Sequence, residues 1–284
     1  MNQHWQANGG NRIPTKNSSA PIRLPIRFLV GLCVAILLVC ASASAGWAAE
    51  FDQTHARLAD VLQRFVKDSL VDYAALKADR AGLDTYLGEL ATVPEADFNR
   101  WPETHRLAFL LNLYNAQTLA LILDHYPLKS IRDIGVLPLA AWKKPVVRLW
   151  GRTTTLQALE NDLIRKRHPE TPEIHFALVC AALGCPPLRG EPYTGARLDG
   201  QLRDQGRQFM AATAKNRVDA AARVVWLSKI FDWYEADFRR PPGSVLAFAE
   251  KYFPPDSAAA LKAGGFKIKY TDYDWTLNDI PRKP

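Results

Sequence analysis

The chain has 284 residues, and its 36 basic against 29 acidic side chains give a formal charge of +7. Residues 1–45 hold Arg12, Lys16, Arg23 and Arg27 and no acid, so without them the charge falls to +3. No basic run dense enough for nucleic-acid binding remains. Arg165-Lys166-Arg167-His168 reads instead as the last turn of a helix, where cations complement the macrodipole.

The N-terminus sets the expected compartment. Phe28 to Cys40 is an uncharged run of 13 residues, followed by Ala41-Ser42-Ala43-Ser44-Ala45. A basic flank, a short apolar core and a small-residue A-x-A exit describe a secretory signal peptide over residues 1–45. The run is shorter than the roughly 20 residues that span a bilayer, although Ala41 to Ala49 is permissive enough to extend it into an uncleaved anchor. The expected location is therefore periplasmic or secreted, with membrane contact only through this segment if it is retained. Residues 46–284 are long enough for one globular domain. Cys33 and Cys40 belong to the export segment, which leaves Cys180 and Cys185 to an oxidising compartment.

In chain order, Leu58, Val61, Leu62 and Phe65, then Leu83, Tyr86, Leu87 and Leu90, recur at helical spacing and predict two helices separated near Val71-Asp72-Tyr73. Pro94 and Pro102 bracket a loop. Glu103 to His125 reads as a long helix, apolar almost all round and so central. Val146 to Thr155 predicts a hairpin turning at Gly151-Arg152, followed by a helix from Thr155 to His168. Glu173 to Ala182 reads as a buried strand stopped by Gly184 and Pro186. A helix over 198–212, a strand over 223–227, a helical stripe from Leu227 to Phe238, a short helix over 245–252 and a final strand at Phe266 to Tyr270 complete the chain. The sum is an α+β fold, a mainly helical single domain with a small sheet.

Several polar residues fall where apolar ones belong. Asn112 and Asn115 share one face of the long apolar helix; buried amides there satisfy a neighbouring backbone or orient a ligand. Glu160 lies inside the stripe of Leu156, Leu159, Leu163 and Ile164, so its carboxylate points inward and needs an arginine or a histidine as partner. His175 opens the buried strand. Asp237, near Trp233 and Tyr234, suits an aromatic hydroxyl or an imidazole, and Tyr273-Asp274-Trp275 sets another acid between two rings.

On a regular strand, five residues separate His175 from Cys180 by about 16 Å and put them on opposite faces. A local dyad is therefore disfavoured. A turn through Ala181 to Gly184 brings the two sulfurs within reach of a disulfide instead, with free thiols as the alternative. Two thiols do not supply the ligands of a zinc site, and neither a metal nor a cofactor is expected.

The blocks Val71-Asp72-Tyr73, Asn112-Leu113-Tyr114-Asn115-Ala116, Ser130-Ile131-Arg132-Asp133, Ile174-His175-Phe176-Ala177-Leu178-Val179-Cys180, Cys185-Pro186-Pro187-Leu188, Leu227-Ser228-Lys229-Ile230-Phe231 and Tyr273-Asp274-Trp275 resemble, in this order, the domain-of-unknown-function family five-four-seven. The resemblance runs from about residue 71 to 278. Its name carries no activity, so it supplies kinship without mechanism. Two functions stand open. The favoured one is an extracytoplasmic binding or scaffold domain, with a polar pocket around Glu160 and His175 for a ligand or protein partner of unknown identity. In that pocket Asn112, Asn115, Cys180, Asp237, Tyr273 and Asp274 are binding candidates. The alternative is a thiol- or carboxylate-dependent hydrolase, distantly similar to papain and transglutaminase-like folds, using Glu160, His175 and Cys185.

Overall fold

A computed structural model describes residues 50–240 and 243–281. The expected signal peptide at residues 1–45, with Cys33 and Cys40, lies outside the described residues. From Phe51 onward the chain forms one compact unit, mainly helical with small sheets.

The first layer is α1 (Ala56–Phe65), a two-stranded ribbon of β1 (Val66–Lys67) and β2 (Leu70–Val71), α2 (Tyr73–Ala78), α3 (Ala81–Thr92) and α4 (Glu95–Arg100). Asp72 caps α2 by accepting from the Ala75 amide at 3.0 Å. The segment between Pro94 and Pro102 is thus a short helix rather than a loop: Pro94 at its N-cap has no N–H to satisfy, and its carbonyl accepts from the Phe98 amide at 3.0 Å.

Next comes α5 (Glu103–His125), the axis of the fold. Every side chain from Leu107 to Leu123 is buried. A helix apolar on all sides must be wrapped on all sides, and α2, α3 and later elements do this. The turn Ile131–Asp133, capped by Ser130, leads to α6 (Ala140–Lys143). The hairpin β3 (Pro145–Leu149) and β4 (Arg152–Thr155) follows, reversing through Trp150 and Gly151, both at positive φ.

The second half carries α7 (Leu156–Ala158), a π-helix (Leu159–Arg165), α8 (Ile174–Ala177) and α9 (Leu198–Ala211). Then come β5 (Arg217–Asp219), β6 (Val224–Leu227), α10 (Ile230–Trp233), α11 (Glu235–Arg239), α12 (Val245–Glu250), α13 (Pro255–Leu261) and β7 (Lys267–Tyr270). The sheet order is β5-β6-β7, with β5 antiparallel and β7 parallel to β6. Two apolar clusters fill the unit: a large one around α5, and an aromatic one built on Phe176, Phe209, Phe231, Phe238 and Phe248.

Three further expectations change. Residues 173–182 do not form a strand: Ile174–Ala177 is one helical turn and the rest is extended chain without a sheet partner, apart from a lone bridge between Ala182 and Leu277. The stripe from Leu227 to Phe238 begins in β6 and then breaks at Tyr234 into α10 and α11. The helix over 155–168 becomes α7 and the π-helix.

His55, at the N-cap of α1, is buried with Nδ1 at 2.7 Å from the Tyr86 hydroxyl. Burial pushes its pKa down to about 4, with the Asp52 carboxylate opposing and His105 adding slightly. Between about 6.5 and about 4 the unfolded chain binds a proton that the folded chain refuses, so stability rises with pH across that window. The expected loss on acidification from pH 7 to 4 is about 3 kcal/mol from this group. Urea midpoints across that range should fall steadily, and the His55 imidazole resonance should titrate below about pH 5. Titration above about pH 6 refutes the assignment.

Candidate functional site

The Thr155 hydroxyl accepts from the Ala158 amide at 3.0 Å and starts α7. The chain then widens, and the Lys166 amide reaches the Asn161 carbonyl, five residues back, at 3.2 Å. This π-helix aims Glu160 inward, where it is 8% exposed. Its partners are neither arginine nor histidine. The Tyr234 hydroxyl donates to Oε1 at 2.7 Å and the Tyr114 hydroxyl to Oε2 at 3.2 Å. Trp142 Nε1 donates in turn to the Tyr114 oxygen at 3.2 Å. Burial, reinforced by the Glu160 charge, raises both phenol pKa values far above their usual range, so both remain donors.

His175 stands on α8 and stacks on Tyr234 with ring centroids 4.0 Å apart. Its Nε2 lies 2.8 Å from Asp237 Oδ2. A carboxylate only accepts, so this nitrogen carries the proton. Asp237 also accepts from Arg165 Nε at 2.8 Å. The bond from His175, helped by Arg165, holds the Asp237 pKa well below the carboxylate range despite burial. Burial lowers that of His175 against the pull of Asp237 and Glu160. Arg165, read from sequence as a helix-end cation, instead turns inward to Asp237.

One helical turn rises only about 1.5 Å per residue, against about 3.3 Å for a strand. The separation argued for His175 and Cys180 therefore does not hold, and both line the same cleft. Asn115 fixes the passage between them, donating to the Ala177 carbonyl at 2.9 Å and accepting from the Val179 amide at 3.0 Å. Asn112 clamps both backbone groups of Tyr193, at 2.7 and 2.9 Å. Neither asparagine lines the cleft. Each satisfies backbone that no strand partner serves.

Cys180 and Cys185 form a disulfide with α-carbons 6.3 Å apart. Tyr273 donates to the sulfur of Cys185 at 3.1 Å and also lies 3.2 Å from that of Cys180. The loop between the cysteines is laid along the C-terminal segment: the Leu183 amide donates to the Thr276 carbonyl and the Gly184 amide to that of Asp274, each at 2.8 Å. A Cβ at position 184 would stand 2.9 Å from the Asp274 carbonyl, so only glycine lets the two chains approach this closely. Asp274 is exposed, accepts from the Thr276 amide at 2.9 Å and does not line the cleft.

These parts enclose a cleft of about 420 Å³. Its mouth is aromatic. Trp233 packs on Tyr273 at 4.8 Å and on Trp275 at 5.7 Å, and Trp142 meets Trp275 edge-on at 6.2 Å. Leu139, on the rim, continues into the exposed Val136 and Leu137. Among the described residues no group of three His, Cys, Asp or Glu side chains is placed to hold a metal ion.

Residues 98–210 match the family model described as protein of unknown function, DUF547. This part of the chain is similar to that family. No curated protein and no solved structure matches the chain. The matched region supplies Tyr114, Trp142, Glu160, His175 and the two cysteines. The cleft is completed from beyond it, by Trp233, Tyr234, Tyr273 and Trp275, with Asp237 behind His175. Sequence reasoning did not single out Tyr114, Trp142 or Tyr234 as site residues. Tyr114 was in plain view, flanked by the two flagged asparagines; Trp142 left no signal, because its role depends on a side chain 28 positions away.

Proposed function

We propose that this chain is a binding domain, exported from the cytoplasm, whose ligand is a small molecule held in the aromatic cleft over Glu160. The observation that carries this reading is the cleft itself. Its volume of about 420 Å³ falls in the range of roughly 300–1,000 Å³ usual for small-molecule sites, and apolar walls converge on a few fixed polar groups, as such sites do. The floor is organised before any ligand arrives, since Glu160, Tyr114, Tyr234 and Trp142 hold one another. The N-terminal segment with its A-x-A exit supports the extracytoplasmic location.

A titration of the full chain with the uncharged dye N-phenyl-1-naphthylamine tests the reading. One equivalent is expected to bind and fluoresce. Trp275→Ala is expected to weaken binding about tenfold by removing apolar contact, with the far-UV spectrum unchanged. Absence of binding, or binding indifferent to Trp275, defeats it.

The His175–Asp237 pair favours a second reading, hydrolysis with His175 as general base oriented by a carboxylate. The thiol-dependent version requires the Cys180–Cys185 bond to be reduced first, because a disulfide sulfur is no thiolate. Ester hydrolysis by the purified chain, present after dithiothreitol and abolished in His175→Ala, is its signature.

A further inference from the structure

The walls of the cleft are chemically one-sided. Glu160 is the single carboxylate among the described residues that line it, and no lysine or arginine lines it at all. The guanidinium of Arg165, which lies over the Tyr234 ring, is committed to Asp237 and Asn161. Around the carboxylate stand the rings of Tyr114, Trp142, Trp233, Tyr234, Tyr273 and Trp275. Aromatic faces are electron-rich and attract cations, most strongly when the site is shielded from water. Two of these rings already do so inside the chain: Arg165 lies 4.8 Å from the Tyr234 centroid and Arg132 lies 5.3 Å from that of Trp275.

We infer that the cleft takes an organic cation, a quaternary ammonium group seated among the tryptophan and tyrosine rings above Glu160. The inference rests on the reading of the cleft as a binding site and names its ligand class. Both oxygens of Glu160 already accept from phenols. The carboxylate therefore offers charge more readily than free lone pairs, which suits an ammonium without N–H donors better than a primary amine. An anion is opposed by that same charge. A neutral sugar needs several free polar groups, yet beyond Glu160 and His175 the polar amides here are Gln157 and Asn161, and Asn161 Oδ1 already accepts from Arg165.

Tryptophan fluorescence and calorimetry on the full chain decide the matter, with choline, its uncharged isostere 3,3-dimethyl-1-butanol, and cellobiose as probes. Choline is expected to bind at least about tenfold more tightly than the isostere. Glu160→Gln should remove most of that preference. Trp233→Leu, at a position 45% exposed and so tolerant of change, keeps apolar contact but removes the ring, and should weaken choline more than it weakens N-phenyl-1-naphthylamine. Equal binding of choline and the isostere, preference for cellobiose, or a choline affinity unchanged in both variants overturns the cation assignment while dye binding leaves the binding-site reading standing. If the dye and all three probes fail to bind, both readings fall together.

Discussion

Phe176→Ala is expected to destabilise the protein by about 3–5 kcal/mol, the usual range for emptying a large buried aromatic position. The Phe176 ring is wholly buried and touches five others: Phe209, Phe231, Phe238, Phe248 and Tyr252, with centroids 5.4 to 5.9 Å away. These rings come from α9 to α12 and the residues just after α12, so no single side chain can move in to fill the space. The melting temperature should drop by roughly 10 °C for a domain of this size. Because Phe176 follows His175 directly, the same change should loosen the His175–Asp237 contact. A urea-unfolding loss below about 1 kcal/mol would show that the second core collapses around the gap.

Asp237→Ala is expected to cost about 2–4 kcal/mol at pH 7. The substitution strands His175 and Arg165 together, and a broken buried ion pair commonly costs about 3–5 kcal/mol. The lower figure applies because Arg165 is 27% exposed and keeps access to water. The pH dependence separates charge from packing. The folded pKa of Asp237 is depressed, so its contribution is complete above the unfolded value near 3.8 and is lost as pH falls through the lower folded value. Asp237→Asn retains a hydrogen-bonding group but no charge, and should flatten the stability profile below about pH 4 relative to wild type. An unchanged acid limb in Asp237→Asn would show that His175 and Arg165 do not feel that charge.

The long helix was legible because seventeen consecutive buried side chains leave a run that no loop or strand accommodates. The β3–β4 hairpin was legible from Gly151 between two short runs with β-branched residues. Residues 173–182 were not, since a short apolar run reads alike as buried strand or buried helix until its backbone partners are known. Here those partners are Asn115 and the C-terminal segment, the latter some ninety positions away. The inward aim of Glu160 followed from its place in an apolar stripe, whereas its phenol partners did not, because Tyr114 and Tyr234 lie 46 and 74 positions away. Asp237 was correctly suspected of taking an aromatic hydroxyl or an imidazole; nothing local indicated that it would hold His175 and Arg165 at once.

The π-helix at Leu159–Arg165 carries one residue more per turn than α-geometry would need for the same path. Removing any one residue between Glu160 and Arg165 would return this stretch to α register and rotate the residues downstream of the deletion by about 100°. Glu160 would keep its place below the cleft, but Arg165 would swing off Asp237. The centre is therefore guarded by chain length as much as by residue type: a lineage that shed a single position after Asn161 would keep Glu160 among its phenols and still part the two halves of the network.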